Sequence, residues 1–474
     1  MQPDGPTAPV GSLPSALDER SSEQIGSMPL TSLKQRYESQ LSRLGGSETV
    51  KAVGLAGAMV VNNVIALGSV IVFSRLLTDY GSLAALVSYF LILAVVGYAM
   101  QLATAREAVL GHLGTGRAMA TTIRSWTRSV LLFTVVMTVI SVLLRHPIAQ
   151  AVGVQQEWGA ALGIPAGCLY LLLCIMRGFL QGLGDYRAVG VNLVAEQAAR
   201  LAIGGVLAAV GLGVTGAYIG TPLSFAVMIV YCAVLLRRHL GVPAAGRRPA
   251  IGLWAHVRSA WVAIAALAVI AVLQNIDIIA AKHQFSTDLA SSYSATAVAA
   301  KVLIWVAMGA GFYLVPEVSR RHAAGEDTRP VLGKAVAIVA VAAIPCLLIY
   351  ALAPHLLIKL AFGPKRLLAV DALFILGVAF TVLAGTYLAV QYMLALKRSW
   401  FLLAIGAVAV AEPILLLQAS KKPVGFAMVV LVVQIAGAVL AFGLALRPDK
   451  RRGRRAQTER ELPEPELVGA SGLS

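Results

Sequence analysis

Apolar residues gather along the chain into twelve runs, at about 52–74, 82–103, 126–144, 158–180, 188–211, 214–236, 259–281, 289–315, 335–353, 369–395, 400–419 and 423–446. Most are near 20 residues, the length a helix needs to cross roughly 30 Å of hydrocarbon at about 1.5 Å per residue. Hydrocarbon offers backbone polar groups no partners, so spans of this length are predicted to be helical. The expected fold is therefore all-α, a polytopic membrane protein with about 12 transmembrane helices. Six runs precede the longest basic connection, "RRHLGVPAAGRRPAIGLWAHVR" (237–258), and six follow it. This divides the chain into a tail (1–50), a first six-helix bundle (51–238), a linker (239–258), a second six-helix bundle (259–446) and a polybasic tail (447–474). Each half starts on the same side, so a duplication would give parallel repeats about an axis along the membrane normal.

The polar positions between the runs carry the second signal. With the N-terminus on the cytoplasmic side, the inner connections and tails hold 29 Lys and Arg and the outer connections hold 8, Arg177 being assigned to the inner 4–5 connection. That asymmetry fits the positive-inside rule and places both termini in the cytoplasm. It also changes the meaning of the +16 net charge: the cations face anionic lipid, and no nucleic acid partner is expected. Composition agrees, since 13% charged residues is about half the share of a soluble domain. Cys168, Cys174, Cys232 and Cys346 all fall in apolar runs, without disulfide or metal spacing. The first 50 residues are polar, so no cleavable signal peptide is expected. They read as disordered to about Pro29, followed by a short interfacial or solvated helix through Leu33, Tyr37, Leu41 and Leu44.

A few polar residues interrupt the runs, where a charge costs about 2.5–3.5 kcal/mol on insertion scales. Asn192, Glu196 and Arg200 follow at i, i+4 and i+8 and share one stripe of run 5. They form either a local ion pair that lowers insertion cost or the wall of a wet cavity. Lys301 lies near the middle of run 8 with Tyr293 on its stripe, and no acid lies within a turn of it, which predicts a functional or interhelical role. Run 7 ends in "AVLQNIDIIAAKHQF", with Gln274 and Asp277 on one face and Lys282 a turn beyond, so an Asp277–Lys282 cap pair is a second reading. Glu412 directly precedes Pro413, predicting a kink with a polar lining. Asn62–Asn63 in run 1 reads equally as interhelical glue or cavity lining. A single cavity between the bundles would gather Glu196, Arg200, Asp277, Lys301 and Glu412, and acids there can carry coupling protons or sodium.

The chain has no GxxxxGK[ST], HExxH or GxSxG motif and no Asp-x-Asp pair, and the outer connections are short. Catalysis is not expected, and transport is the stronger class. Several segments then resemble a known family. "FSRLLTDYGSLAALVSYF" (73–90), "RGFLQGLGDYRAVGVNLVAEQAARLAIG" (177–204), "VGLGVTGAYIGTPLS" (210–224), "LQNIDIIAAKHQF", "YSATAVAAKVLIWVAMGAGFYLVPEVSRRHAAGED" and "ALAPHLLIKLAFG" are similar, in order, to bacterial polysaccharide flippases of the multidrug/oligosaccharidyl-lipid/polysaccharide (MOP) superfamily.

The resemblance implies two six-helix bundles around a V-shaped, alternating-access cavity, as in the MATE fold. It implies undecaprenyl-linked sugars or polysaccharide intermediates as substrates, passed to the outer leaflet of a bacterial plasma membrane. Asp277 and Lys301 fall where that family has polar lumen residues, and Glu196 and Arg200 fall in its span 5. Partners would be membrane lipid and cell-envelope biosynthesis proteins, with a proton, sodium or the membrane potential as driving force. One departure is that Phe, Trp and Tyr make up only 7% of the chain, so few aromatics are available for stacking on sugars. Three alternatives remain: a drug/cation antiporter, for which run 1 offers Asn62–Asn63 rather than an acid; a lipid II flippase, usually of fourteen spans; and a non-transporting scaffold.

Overall fold

A computed structural model describes residues 54–242 and 249–447. The predicted tail helix, the polybasic C-terminal tail and residues 243–248 of the linker lie outside these residues. The described residues are helical, with no strand among them. Ten continuous segments are long and apolar enough to cross a membrane. One of them, Tyr186–Leu240, is 55 residues long and doubles back at Gly211 (φ 103°) and Gly213 (φ 54°), conformations that glycine adopts without a Cβ clash. Phe401–Leu417, with 17 residues against 23 in each neighbour, occupies the eleventh position.

The spanning helices are α1 (Gly54–Leu76), α2 (Tyr80–Val109), α3 (Arg117–Leu143), α4 (Gly163–Gly182), α5 (Tyr186–Leu207), α6 (Gly213–Leu240), α7 (Trp261–Gln284), α8 (Thr287–Ala323), α9 (Arg329–Leu352), α10 (Leu373–Ala395), α11 (Phe401–Leu417) and α12 (Pro423–Ala445). Helix starts carry local signals: Asp79 caps α2 by accepting from the Ser82 N–H at 3.1 Å, and Asp185 caps α5 through the Ala188 N–H at 3.0 Å. The kink expected at Pro413 does not break the helix: α11 runs continuously through the proline to Leu417.

Packing repeats between the halves. In the first, α4 packs on α2, α3 and α6, and α5 on α6; Gly190 of α5 meets Ala58 of α1. In the second, α10 packs on α8, α9 and α12, α11 on α12, and α7 on α11. Each helix of one half thus finds the neighbours of the helix six places along, which makes two six-helix bundles. Lipid-facing helices gain little from hydrophobicity against each other, so close backbone approach carries the packing. Gly204 of α5 and Gly220 of α6 show it: a Cβ on Gly220 would lie 2.6 Å from the Gly204 nitrogen.

The bundles meet mainly where α2 packs on α7 and on the first part of α8. The molecule has two polar faces. The linker face carries residues 241–242 and 249–260, and the distal face carries the 1–2, 3–4, 7–8 and 9–10 connections. Direct polar bonds between bundles concentrate on the distal face. Arg366 (4% exposed) donates to the carbonyls of Ser74, Leu77 and Thr78 at 3.0, 2.6 and 3.3 Å. Arg75 reciprocates with the Leu360 and Ala361 carbonyls at the end of the short helix Pro354–Phe362. Lys282 pairs with Asp79 at 2.8 Å, and the Gly81 N–H donates to Ser291 Oγ at 2.9 Å. Burial would raise the Asp79 carboxyl, but hydrogen bonds from Lys282 and Ser82 outweigh it and hold it below the usual carboxylate range.

On the linker face the first bundle is bonded to the linker. Trp126 Nε1 donates to the Ile251 carbonyl at 2.9 Å, and the Ala250 N–H donates to Thr122 Oγ1 at 3.1 Å. His256 stacks on Trp126 at 4.8 Å and touches Thr104 Oγ1 at 3.3 Å.

Candidate functional site

The polar residues expected inside the membrane fall into two buried clusters, one in each bundle. The expectation of one cavity gathering all five charges is corrected accordingly. Helix order and rotation, which a hydropathy pattern does not specify, keep α5 away from α7, α8 and α11.

The first cluster centres on Glu196 of α5, 4% exposed. Arg200, one turn along, donates to its Oε1 at 2.6 Å, as the i, i+4 spacing allows. Arg177 of α4 donates Nη2 to the other oxygen at 2.9 Å and Nε to Asn192 Oδ1 at 2.6 Å. Asn192 in turn donates to the Met228 carbonyl at 3.3 Å and faces Cys232 Sγ at 3.2 Å. Arg177 is completely buried, which corrects its assignment to the 4–5 connection. The signal was present, since the apolar run 158–180 already enclosed it.

Two guanidinium groups therefore share one carboxylate, leaving a surplus positive charge in an apolar setting. Arg177 Nη1 and Arg200 Nε are buried without a hydrogen-bond partner among the described residues. Arg200 also lies over the rings of Phe225 (5.2 Å) and Phe90 (5.7 Å), a cation–π arrangement that partly offsets its lost hydration. Its side chain is 18% exposed, making it the accessible edge of the cluster. A surplus buried cation with unsatisfied N–H donors is suited to an anion.

The second cluster joins four helices. Lys301 sits at the joint of α8, between Thr287–Ala300 and Val302–Ala323. It donates to Asp277 Oδ1 of α7 at 2.9 Å. Tyr293 donates its hydroxyl to the other Asp277 oxygen at 3.4 Å, and Lys301 lies 5.0 Å from the Phe380 ring of α10. Lys301 thus has its interhelical partner, and the alternative Asp277–Lys282 cap pair is corrected: Lys282 turns to Asp79 in the 1–2 connection. Nearby, Gln434 of α12 donates to Glu412 Oε1 at 3.0 Å and to the Leu273 carbonyl at 3.1 Å. Glu412 is completely buried, and its Oε2 has no partner among the described residues. This cluster carries one carboxyl group beyond its Lys–Asp pair, the reverse of the first.

Two expected residues join neither cluster. Asn62 bonds only with its neighbour Asn63, at 3.4 Å. Gln274 is half-buried and makes no hydrogen bond among the described residues. Nor do those residues contain a group of His, Cys, Asp and Glu able to hold a metal ion.

No protein-family model matches this chain, and no curated protein matches its sequence. Solved structures do. The inward closed conformation of the lipid II flippase MurJ superposes with a TM-score of 0.66 at 13% identity, covering 83% of this chain and 88% of that one. The eukaryotic MATE transporter AtDTX14 gives a TM-score of 0.58 at 16% identity, covering 87% and 99%. A MOP-superfamily transporter from Pyrococcus furiosus, described as having a binding pocket of reverse polarity, gives 0.57 at 14%, covering 86% and 96%. At these identities the likeness concerns architecture. The chain is an all-α, multi-pass membrane protein with the fold shared by MurJ and the MATE transporters of the MOP superfamily.

Proposed function

We propose that this protein is a transporter that moves the anionic headgroup of a lipid-linked oligosaccharide or polysaccharide intermediate from the inner to the outer leaflet by alternating access. The observation that carries the reading is the Arg177–Glu196–Arg200 cluster, which holds a surplus positive charge and two unpartnered guanidinium nitrogens. A lipid diphosphate or acidic sugar would supply the missing counter-charge, while its tail stays in hydrocarbon. The Lys and Arg asymmetry supports a cytoplasmic linker face with both termini inside, and the resemblance to bacterial polysaccharide flippases supports a bacterial plasma membrane. The second cluster supports a coupling role: Glu412, whose Oε2 has no partner among the described residues, would carry a proton or sodium beside the Asp277–Lys301 pair. Cell-envelope glycosyltransferases would be the working partners.

The MurJ likeness favours one second reading, lipid II itself as cargo. Both readings are tested by reconstituting the purified protein in liposomes and following the accessibility of labelled undecaprenyl-diphosphate sugars at each leaflet. Translocation is expected for wild type and lost in Arg200→Gln at normal protein level. Full translocation by Arg200→Gln would remove the anion site. Preference for lipid II over other glycans would select the second reading.

A further inference from the structure

We propose that the groove between α2, α4 and α5 at the linker face is a loading station for the diphosphate end of a polyprenyl lipid, ahead of the buried cluster; the assignment rests on the transport reading above. The groove has a volume of about 490 Å³ and is lined by Leu102, Ala105, Arg106, Val109, Leu110, Gln181 and Tyr186. Its walls are amphipathic. Leu102 is 70% exposed and Val109 68%, an apolar surface on which a hydrocarbon chain can lie. Arg106, Gln181 and Tyr186 supply every polar side chain, and none has a hydrogen bond or ion pair among the described residues.

The nearby acids are already engaged. Glu107 pairs with His112 at 2.7 Å. Asp185 accepts from the Ala188 N–H, and its other oxygen lies 3.0 Å from His239. Among the described residues no carboxylate therefore pairs with Arg106. A guanidinium offers a planar fork of donors matched to phosphate oxygens, with the Tyr186 hydroxyl and Gln181 amide as further donors. Tyr186 is the first residue of α5, so the positive end of that helix dipole also faces the groove.

From the groove one exposed stripe of α2 continues toward the cluster. Tyr98, Leu102 and Arg106 recur every four residues, and all three are exposed on one stripe of α2. Further along that stripe Tyr98 meets the Tyr170 ring edge-on at 5.4 Å, and Tyr170 stands about two helical turns before Arg177 on α4. Eight helical residues separate Arg106 from Tyr98, about 12 Å of travel. Among the described residues the direct polar bonds between bundles lie on the distal face, which favours approach from the linker face.

Photocrosslinking decides the matter. A benzophenone amino acid at Leu102 or at Tyr98, in full-length protein in phosphatidylcholine nanodiscs, is irradiated with radiolabelled undecaprenyl diphosphate. Labelling is expected from both positions. Arg106→Gln should lower labelling from Leu102 about five-fold, while Tyr98 labelling at saturating lipid changes less than two-fold. Arg200→Gln should do the reverse. Labelling from Tyr98 without any from Leu102 would overturn the loading station and leave transport standing. Absence at both positions would overturn transport as well. Equal displacement by phosphatidylglycerol would mark the groove as a contact for ordinary anionic lipid and refute the assignment.

Discussion

Arg177 and Arg200 bind the same carboxylate, yet their loss should have unequal consequences. Arg177 is fully buried, and its replacement by Gln leaves Asn192 Oδ1 and one Glu196 oxygen without their donors. Breaking a buried ion pair costs about 3–5 kcal/mol, and the surviving Arg200 contact places this case near 3. Arg200→Gln leaves the Arg177–Glu196 pair at 2.9 Å intact and removes a group that is 18% exposed. Its cost should be about 1 kcal/mol. The difference of about 2 kcal/mol is a factor of roughly 30 in the unfolded population. Unfolding in mixed micelles of rising denaturing-detergent fraction, followed by accessibility of buried Cys174 and Cys232, measures both variants. Arg177→Gln should unfold at a clearly lower fraction, and adding Glu196→Gln should recover part of the loss. If Arg200→Gln were the more damaging, the local i, i+4 pair would be the structural unit and Arg177 an accessory.

Lys301→Met should destabilise by about 3–5 kcal/mol, because Asp277 keeps only the Tyr293 hydroxyl; Asp277→Asn in the same chain should restore most of the protein level, and no restoration would mean the pair is not the stabilising contact. Cysteines at Asp79 and Lys282, bridged by a bifunctional methanethiosulfonate reagent long enough to replace the two side chains, should block transport until reductant is added, since the Lys282–Asp79 contact joins the bundles on the distal face; free transport in the bridged protein would refute a distal opening. Burial holds the His256 imidazole below its ordinary value, with Glu107 only partly opposing. Docking of the linker on Trp126 should therefore be complete above about pH 6.5 and weaken as pH falls. Hydrogen exchange over residues 249–258 at pH 8 and pH 5 reads this, and His256→Phe should abolish the difference. Gly220→Val should abolish folded protein, because its Cβ would meet the α5 backbone at 2.6–2.8 Å; normal expression would show that α5 and α6 pack differently.

What the sequence determined by itself was the set of spans. Partition of a segment into hydrocarbon is nearly additive along the chain, so twelve runs of Leu, Ala and Val marked the spans, and the basic linker marked the repeat. The charged ends of Tyr80–Val109, Arg117–Leu143, Thr287–Ala323 and Arg329–Leu352 extend well past the apolar runs, because those turns stand outside hydrocarbon. The spacing of Glu196 and Arg200 was legible for the same reason, since a helix sets i, i+4 neighbours locally. Which helices face each other was decided by tertiary structure. Asp277 and Lys301 lie 24 positions apart, and no pattern along one helix says that the α8 joint turns Lys301 toward α7. Arg177 looked like a loop charge because it stands near the end of its run; only the close packing of α4 on α2 and α6, together with Asn192 and Glu196 opposite, makes its burial tolerable. Arg366 and Arg75 counted as two among eight outer cations, yet each closes on carbonyls that helix ends in the other bundle leave unpaired. Hydropathy is a property of single segments, whereas ion pairs, helix-end partners and the sorting of charge between bundles depend on how those segments are rotated and ordered in three dimensions.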